Sequence, residues 1–534
     1  EAGRTIFDYA DDLAVQVPTS CGRTGHCHEC IVEIVRGTEA LTLPSADEEF
    51  LRPPYRLACQ ARILDADADV LFEPLRRTPK ILTESKAREI EIDPAVIRRG
   101  DEVVRRDGGE EEVIDQYRGQ LLGLAIDVGT TTVVMDLVDL ETGNSVSVSS
   151  FENPQRFGGS DVMHRISYDD KHKGELRKSL VNALNHEILA LGKRLEFTRQ
   201  EIYEVVIAGN STMREILFRI DVQSIGQRPY KSPVESQFIA GERDSTVLVE
   251  STRRLGLRAN PKARAYGMPL IASHVGADTA AALAAVDATG QEGVFMLVDV
   301  GTNTEVVVGD GERMVAASCP AGPAFEGGLI EYGMPGYDGA IESVRFADGS
   351  FHYETIGGVE PQGICGSGLI DLLAELRRHD RMTPKGVFAD KAYELSIVPE
   401  RGIRFTREDA SNLAQAKAAN FCGQFIVLRH LGIDPGAVDH LFLAGGFANY
   451  VDVENAIEIG FLAPVPGERI SKVGNAAVQG AREVLLSRSR RTAVERMVTG
   501  IEHLELETTP DFFEVFVEGC QFKPMPTALS EATL

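Results

Sequence analysis

The chain has 534 residues, of which 43% are hydrophobic and 25% are charged, as is ordinary for a globular protein. This length exceeds what one hydrophobic core supports, so we expect two to four domains. The formal net charge of −26 disfavours nucleic acid or an anionic membrane surface as the main partner, because both attract clustered Lys and Arg side chains. No apolar run in the sequence approaches the ~20 residues that a membrane-spanning helix needs.

The first ten residues, EAGRTIFDYA, show no secretory signal pattern and are typical of the interior of a domain. We therefore expect the first strand of the N-terminal domain to be missing or truncated. The cysteines are too dispersed for a disulfide scaffold, which favours a reducing, cytoplasmic location. The four cysteines outside the N-terminal region are expected to be small buried hydrophobes: Cys319, Cys365, Cys422 and Cys520.

Three thiols cluster in CGRTGHCHEC (21–30), where Cys21, Cys27 and Cys30 have the spacing C-x5-C-x2-C. A fourth follows in RLACQ at Cys59. Four thiolates suit either zinc or an iron–sulfur cluster, but zinc sites commonly use two close pairs in sequence. The triplet with a distant fourth thiol resembles plant-type ferredoxins, with one extra residue in the first gap. That resemblance implies a β-grasp ferredoxin-like domain over residues 1–74 and a [2Fe–2S] cluster held by the four cysteines; zinc stays the alternative.

Residues 75–120 contain PLRRTPK and then the charge-rich IRRGDEVVRRDGGEEEVID. Such composition predicts a linker or a small adaptor domain. We hypothesise that mobility of this region lets the N-terminal domain swing between an electron donor and its target.

Two later segments repeat one pattern: LLGLAIDVGTTTVVMDLVD (121–139) and FMLVDVGTNTEVVVGDGE (295–312). Each is an apolar strand, an Asp, a Gly turn with hydroxyl or amide residues, and a second strand. Repeated segments indicate two related domains. A Gly turn lets backbone N–H groups approach a phosphate, and Thr hydroxyls add further donors. The predicted phosphate contacts are Gly129, Thr130, Thr131, Thr132, Gly301, Thr302 and Asn303.

Acidic residues accompany both turns. Asp127 and Asp299 are predicted to hold Mg²⁺ and position an attacking water, with a turn-capping role as the alternative. Glu305 either polarises that water or is a charge on the strand surface. The sequence contains no G-x-x-x-x-G-K-[ST] motif, so a P-loop is excluded.

Two further glycine-rich stretches are candidate nucleotide contacts. In DHLFLAGGFANY (439–450), Gly445, Gly446 and Phe447 follow an apolar strand and are predicted to approach the adenosine. Gly366 and Ser367 precede the helical pattern LIDLLAEL. They either place an anion at a helix N-terminus or serve as a helix cap with tight packing.

The motifs DVGTTT, DVGTNTE and LAGGFA, in this order, resemble the superfamily of actin, sugar kinases and heat-shock chaperones. VVIAGNSTM (205–213) and VGNAAVQGAREVLL (473–486) resemble its two connecting segments. The resemblance implies two ribonuclease-H-like α/β domains with ATP in the cleft between them. We assign subdomain I to 121–290 and subdomain II to 291–534, with a C-terminal segment that returns to subdomain I.

The combination of a ferredoxin domain with such an ATPase resembles the reductive activators of corrinoid-dependent methyltransferases. The stretches specific to that family are CPAGPAFEGG (319–328), GICGSGLIDLLAEL (363–376), ENAIEIGFL (454–462) and the tail after LELETTP (504–510). The resemblance implies ATP-dependent, one-electron reduction of Co(II) to Co(I) in a corrinoid protein. It also implies an external low-potential reductant, and related ATPases suggest a homodimer.

Three alternatives stay open at this stage. The activators of hydroxyacyl-CoA dehydratases also drive single electrons uphill, but they hold their cluster at a subunit interface within the ATPase. A small-molecule kinase with a regulatory redox domain would transfer phosphate to a metabolite. A redox sensor would change its nucleotide affinity with cluster oxidation and reduce no acceptor.

Overall fold

A computed structural model describes residues 2–65, 67–75, 88, 90–446 and 448–531. The N-terminal domain contains α1 (Ile6–Asp12) and a small antiparallel sheet of β1 (Ile31–Arg36), β2 (Tyr55–Leu57) and β3 (Leu71–Pro74), in the order β2-β1-β3. Thr5 caps α1 in a reciprocal capping box with Asp8. The cysteine loop, residues 21–30, leads directly into β1, and Cys59 follows β2. The sheet therefore fixes where the distant fourth thiol meets the loop.

The charge-rich region after this domain is folded where the structure describes it. Strands β4 (Val96–Arg99), β5 (Glu102–Asp107) and β6 (Glu110–Gln116) form an antiparallel sheet. Its apolar residues Val96, Val103 and Ile114 are buried in one core with subdomain I. This part is an adaptor packed on subdomain I, so the swing hypothesis does not apply to it. Residues 76–87 and 89, which the hypothesis also covers, lie outside the described residues.

Subdomain I is built on a six-stranded sheet with the order β11-β12-β10-β7-β8-β9. Its strands are β7 (Leu122–Val128), β8 (Thr132–Asp139), β9 (Ser145–Glu152), β10 (Ile202–Gly209), β11 (Leu248–Ser251) and β12 (Arg264–Gly267). Its helices are α2 (Val162–Lys171), α3 (Glu175–Leu195), α4 (Ser211–Leu217), α5 (Pro233–Ile239), α6 (Thr252–Leu255) and α7 (Ala277–Ala285). Strand β7 is buried along its whole length, as a central strand covered on both faces must be.

Subdomain II is built on a second six-stranded sheet, of order β22-β21-β13-β14-β15-β23, and carries two smaller sheets. Its strands are β13 (Phe295–Val300), β14 (Thr304–Gly309), β15 (Met314–Cys319), β16 (Ala340–Ala347), β17 (Ser350–Thr355), β18 (Gly363–Ile364), β19 (Glu394–Val398), β20 (Ile403–Thr406), β21 (His440–Ala444), β22 (Ile470–Gly474) and β23 (Ile501–His503). The helices of this half of the chain are α8 (Gly366–Arg378), α9 (Arg407–Leu431), α10 (Val453–Glu458), α11 (Ala476–Leu486), α12 (Arg488–Val498) and α13 (Phe512–Gly519).

The two large sheets repeat one topology. The order β9-β8-β7-β10-β12 in subdomain I corresponds to β15-β14-β13-β21-β22 in subdomain II. In each, the first three strands are antiparallel neighbours and the last two run parallel to the first strand of the hairpin. The duplication seen in the sequence is thus a duplication of the fold, and the prediction of two ribonuclease-H-like domains is confirmed.

Helix α11 connects the subdomains. It follows β22 of subdomain II but packs on α7, β7 and β10 of subdomain I. A side chain at Gly480 of α11 would lie closer than 3.0 Å to the carbonyl oxygen of Ala281 in α7, so only glycine allows the two helices to approach this closely. No helix among the described residues is long and apolar enough to cross a membrane.

The helix crossing yields a stability prediction. We expect Gly480→Ala to lower the free energy of unfolding by about 2 kcal/mol, because overpacking against a backbone carbonyl outweighs the better helix propensity of alanine. The thermal unfolding midpoint, followed by circular dichroism, measures this. Gly467→Ala is the matched control, since nothing lies within 4 Å of its added methyl group. Equal midpoints for both variants would contradict the assigned packing.

Candidate functional site

The cysteine loop brings its thiols together in two pairs. Cys27 is a close neighbour that lowers the pKa of Cys21, and Cys30 is the neighbour with the largest effect on the pKa of Cys59, while Thr19 Oγ1 lies 4.0 Å from Cys21 Sγ and 3.9 Å from Cys27 Sγ. The first pair is partly exposed and the second is buried. Each iron of a [2Fe–2S] cluster takes two protein thiolates, so two pairs are the arrangement that such a cluster needs.

Zinc is the alternative that four thiolates also suit, since a structural zinc ion takes four ligands around one point. Among the described residues, no group of three or more His, Cys, Asp or Glu side chains is placed to hold a single metal ion.

The backbone of the loop stabilises thiolates. Gly22 and Gly25 have φ angles of +68° and +89°, which glycine adopts without strain and which wrap the loop tightly. Although burial raises the pKa of Cys21, hydrogen bonds from Thr24 and Cys27 outweigh it and lower that pKa to about 5. Cys30 lowers the pKa of Cys59 to about 6, whereas the interaction with Cys59, followed by burial, raises the pKa of Cys30, so the thiolate of this pair is on Cys59. The thiolate is the form that binds metal.

The cysteine loop is docked on helix α3 of subdomain I. Lys178 Nζ donates to the carbonyl oxygen of His26 at 3.2 Å, and Asn182 Nδ2 donates to that of Cys27 at 3.4 Å. His28 Nδ1 lies 2.7 Å from Glu175 Oε2. Three consecutive residues of the cysteine loop, 26–28, are therefore fixed to helix α3 of subdomain I.

Aromatic rings continue this contact into subdomain I. The ring of His28 stacks on Phe50 with centroids 4.0 Å apart, and Phe50 meets the edge of Phe157 at 6.0 Å. Tyr168 lies 5.5 Å beyond Phe157 and donates its hydroxyl to the carbonyl oxygen of Phe50. Phe157 belongs to a short 3₁₀ helix capped by Asn153.

Asn153 holds the first of the two repeated hairpin turns. Its Nδ2 donates to the carbonyl oxygen of Gly129 and its backbone N–H to that of Thr131, both at 2.7 Å. Asn210 Nδ2 donates to Thr130 Oγ1 at 2.9 Å. Amide groups thus fix this turn, which lines the cleft between the subdomains, here called the central cleft.

The two hairpin turns meet across the central cleft. Thr131 Oγ1 of the first lies 3.2 Å from Thr302 Oγ1 of the second. The cleft is lined by the predicted residues Asp127, Gly129, Thr130, Thr131, Thr132, Asp299, Gly301, Thr302, Asn303, Glu305, Gly445 and Gly446. Residues that are far apart in sequence therefore form one site. Phe447 lies outside the described residues.

Equivalent glycines end the fourth strand of each large sheet. A Cβ at Gly209 would lie 2.7 Å from the carbonyl oxygen of Val128, and one at Gly445 would lie closer still to that of Val300. Each glycine therefore lets its strand end pass directly beside a hairpin turn. The sequence predicted Gly445 as a nucleotide contact because it follows an apolar strand. The structure adds a second reason for glycine at this position, the close approach to the backbone of Val300.

Carboxyl groups concentrate in the central cleft. Burial, followed by the influence of nearby carboxylates, raises the pKa of Asp299 to about 7, and burial raises the pKa of Asp127 to the same range. Burial also raises the pKa of Glu305 well above its usual value. Among the described residues that line the cleft, none is Lys or Arg. The site is therefore short of positive charge.

Sequence reasoning missed four polar residues that line the central cleft: Asn210, Asp278, Glu326 and Asn475. Asn210 and Asn475 each follow a strand and cap the next helix, and Asn475 Nδ2 donates to Asp127 Oδ2 at 3.0 Å. A strand–Asn–helix pattern in both connecting segments was the available signal. Asp278 lies in the first turn of α7, and Glu326 lies in a loop with no periodicity to mark it.

Gly366 and Ser367 do not line the described cleft. Ser367 is buried, and its hydroxyl donates to the carbonyl oxygen of Glu342 at 2.8 Å. At the neighbouring Gly368, a Cβ would collide with the carbonyl oxygen of Ile341. Of the two roles expected for this helix start, the geometry corresponds to tight packing and gives no support to anion binding.

Comparison with known proteins places these features in a family. Residues 1–64 match the 2Fe-2S iron-sulfur cluster binding domain, residues 122–290 match the RACo middle region, and residues 293–532 match the C-terminal domain of RACo, the ASKHA domain. The two RACo models together span most of the chain.

Curated relatives and a solved structure agree with this assignment. The chain is 27% identical to the corrinoid activation enzyme RamQ of Eubacterium limosum, over 97% of this chain and 96% of the relative. It is 23% identical to a [Co(II) methylated amine-specific corrinoid protein] reductase of Methanosarcina barkeri, over 73% and 75% of the two chains. The solved structure of a reductive activator for corrinoid, iron-sulfur protein is 28% identical, with a TM-score of 0.73 over 98% of this chain and 96% of that one.

The buried carboxyl groups predict a pH-dependent stability. Asp299 has a folded-state pKa of about 7 against an ordinary value of 3.8, so its contribution is fully present below pH 4 and is lost as the pH rises towards 7. In nucleotide-free, metal-free buffer we expect the free energy of unfolding of Asp299→Asn to gain on that of the wild type by about 3 kcal/mol between pH 5 and pH 8.

Thermal unfolding midpoints between pH 5 and 8 measure this difference. Asp310→Asn is the control in the adjacent turn between β14 and β15, because a backbone hydrogen bond from Arg313 lowers the pKa of that partly exposed carboxyl. It should keep the wild-type slope. Parallel slopes for Asp299→Asn and the wild type would contradict the assigned burial.

Proposed function

Since the chain belongs to the RACo family, we propose that it is an ATP-hydrolysing iron–sulfur protein that reduces a corrinoid protein from Co(II) to Co(I). The observation that carries the proposal is the direct docking of the cysteine loop onto the subdomain that supplies one of the two hairpin turns. One chain thus joins an electron-carrying domain to a cleft whose donors suit a nucleoside triphosphate.

The four cysteines of the N-terminal domain are the proposed ligands of the [2Fe–2S] cluster. Cys21 and Cys27 would hold one iron, and Cys30 and Cys59 the other, following the two thiol pairs. When bound, the cluster supplies a one-electron carrier near the roughly −400 mV of plant-type ferredoxins. The partly exposed pair, Cys21 and Cys27, marks the side of the loop from which an electron has the shorter path to a partner.

The central cleft is the proposed site of Mg-ATP. The turns at 129–132 and 301–303 would hold the phosphates, and Gly445 and Gly446 would adjoin the adenosine. Mg²⁺ usually keeps several waters and takes only one or two carboxylates plus phosphate oxygens. Asp127 and Asp299 suit that role, and a site of this type needs no cluster of three protein ligands.

Glu305 is the proposed group that polarises the attacking water. It lies on β14 immediately after the second turn, is buried, and accepts a hydrogen bond from Ser318 Oγ at 3.1 Å. Its carboxyl is held in a fixed direction by that bond. A positioned carboxylate is the usual means of orienting water in ATP hydrolysis.

The energetic demand matches what nucleotide binding can deliver. An uphill step of ~100 mV costs about 2.3 kcal/mol for one electron. Coupling between two binding sites is typically ~1–3 kcal/mol. Closure of the two subdomains about the α7–α11 crossing therefore has the right magnitude to drive the electron from the chain to the corrinoid partner. An external low-potential reductant replaces that electron.

One spectroscopic experiment tests the function. The anaerobically reduced protein is mixed with a Co(II) corrinoid protein from the same source, with and without Mg-ATP, and the visible spectrum is followed. We expect Co(I) only with Mg-ATP. Asp127→Ala should abolish Co(I) formation and ATP hydrolysis, whereas Cys27→Ala should abolish Co(I) formation and the cluster spectrum while hydrolysis persists.

Cys520→Ala is the matched control, because Cys520 is a partly exposed cysteine in a distant part of subdomain II. It should retain both activities. A protein that carries the cluster and hydrolyses ATP while the cobalt stays Co(II) would contradict the proposed acceptor.

A further inference from the structure

Glu326 joins the two hairpin turns directly. Its Oε2 accepts a hydrogen bond from Thr131 Oγ1 at 3.0 Å and from Thr302 Oγ1 at 2.7 Å. Glu326 ends a single 3₁₀ turn, Ala324–Glu326, in the loop that follows β15. One carboxyl group therefore collects donors from both subdomains.

These donors are among those proposed to hold the phosphates of ATP. Carboxylate and phosphate oxygens are both anionic acceptors and compete for the same N–H and O–H groups. A phosphate group that takes the hydroxyls of Thr131 and Thr302 cannot leave both on Glu326, because each hydroxyl has a single proton to donate. The arriving phosphate also brings more negative charge to a buried carboxyl.

The surroundings of Glu326 make this competition effective. The nearest cation is Arg165 of α2, which is buried and donates from Nε to the carbonyl oxygen of Gly159 at 3.0 Å. Burial raises the pKa of Glu326, and the hydrogen bonds to Thr302 and Thr131 oppose this rise. The carboxyl thus depends on the same hydroxyl donors that a phosphate would use.

We infer that Glu326 is a built-in substitute for phosphate, which bridges the hairpins in the nucleotide-free chain and is displaced when a nucleotide phosphate takes Thr131 and Thr302. The inference rests on the proposed function, since it assigns a regulating residue to the same cleft. It makes Glu326 a positioning residue that sets nucleotide affinity by competition. The hydrogen bonds from Thr131 and Thr302 to Glu326 must break before a phosphate can accept from these hydroxyls. The affinity for nucleotide is therefore lower than it would be without Glu326.

Displacement of Glu326 has a structural path out of the cleft. The backbone N–H of Gly322 donates to the carbonyl oxygen of Thr302 at 2.9 Å, so the loop is attached to the second turn at two points. Three residues beyond Glu326, Leu329 is 69% exposed and has a φ of +63°. Release of Glu326 frees one of the two attachments between this loop and the second turn.

Calorimetric titration of the full-length wild type and variants with Mg-AMPPNP tests the inference. Glu326→Gln keeps the size and one acceptor oxygen but removes the charge, so we expect binding on the order of tenfold tighter than in the wild type. Glu331→Gln is the matched control, because Glu331 lies on the same loop but pairs with Arg404 at the surface. Its affinity should equal that of the wild type.

A double-mutant cycle separates competition from a general loosening of the cleft. In a Thr302→Val background, one of the two hydroxyls for which Glu326 and phosphate compete is absent. The gain in Mg-AMPPNP affinity from Glu326→Gln should then fall to about twofold or less. Weaker binding in Glu326→Gln, or the same tenfold gain in both backgrounds, would overturn the inference. Absence of Mg-AMPPNP binding to the wild type would instead overturn the proposed function on which the inference rests.

Hydrogen exchange on the wild-type protein tests the same point without any variant. Mg-AMPPNP should slow amide exchange in the turns at 129–132 and 301–304 and accelerate it in the loop at 322–329. Unchanged or slower exchange in that loop would overturn the inference even if Glu326→Gln failed to fold.

Discussion

The burial of several carboxyl groups in one cleft, with no Lys or Arg among the described residues that line it, is the constraint on which the site depends. Burial alone disfavours the charged form of such groups, and neighbouring carboxylates add to the penalty. The pKa values of Asp127 and Asp299 are therefore raised from the ordinary value of 3.8 to about 7. Under the proposed function, Mg-ATP would relieve this penalty, because a divalent cation favours ionised carboxyl groups and also binds phosphate oxygens.

The duplicated fold explains why these groups meet at all. In each subdomain the Asp ends the first strand of a hairpin, and the parallel strand beside it ends at a glycine that leaves no space for a side chain, Gly209 or Gly445. The two halves are then brought face to face by the α7–α11 crossing, where Gly480 lies against a backbone carbonyl. Gly209 and Gly445 thus set the strand beside each hairpin turn, while Gly480 sets the close approach of α11 to α7. The distance between the hairpins decides whether Thr131 and Thr302 can share one acceptor.

Much of this arrangement could be predicted from the sequence because it depends on local pattern. The thiol spacing, the repeated Asp–x–Gly–Thr turns and the strand before Gly445 each specify a local conformation and a chemistry. Residues that act through tertiary contact could not be found in this way. Glu326 follows no periodic element, and of the two roles left open for Ser367 the contact of its helix with β16 favours the packed helix start. The charge-rich region before β7 has a linker-like composition, yet its alternate Val and Ile residues pack on subdomain I as a sheet.

The contact between the cysteine loop and helix α3 connects electron transfer to the nucleotide by a continuous series of packed groups. His28 stacks on Phe50, Phe50 meets Phe157, and the 3₁₀ helix of Phe157 begins at Asn153, which holds the first hairpin turn. A change at that turn therefore acts on the support of the cysteine loop through rigid contacts. Coupling of ~1–3 kcal/mol requires only that the two nucleotide states differ in a few such contacts. The cysteine loop is held by subdomain I, whereas Glu326 comes from subdomain II. A motion between the subdomains would therefore couple nucleotide binding to the position of the cluster domain.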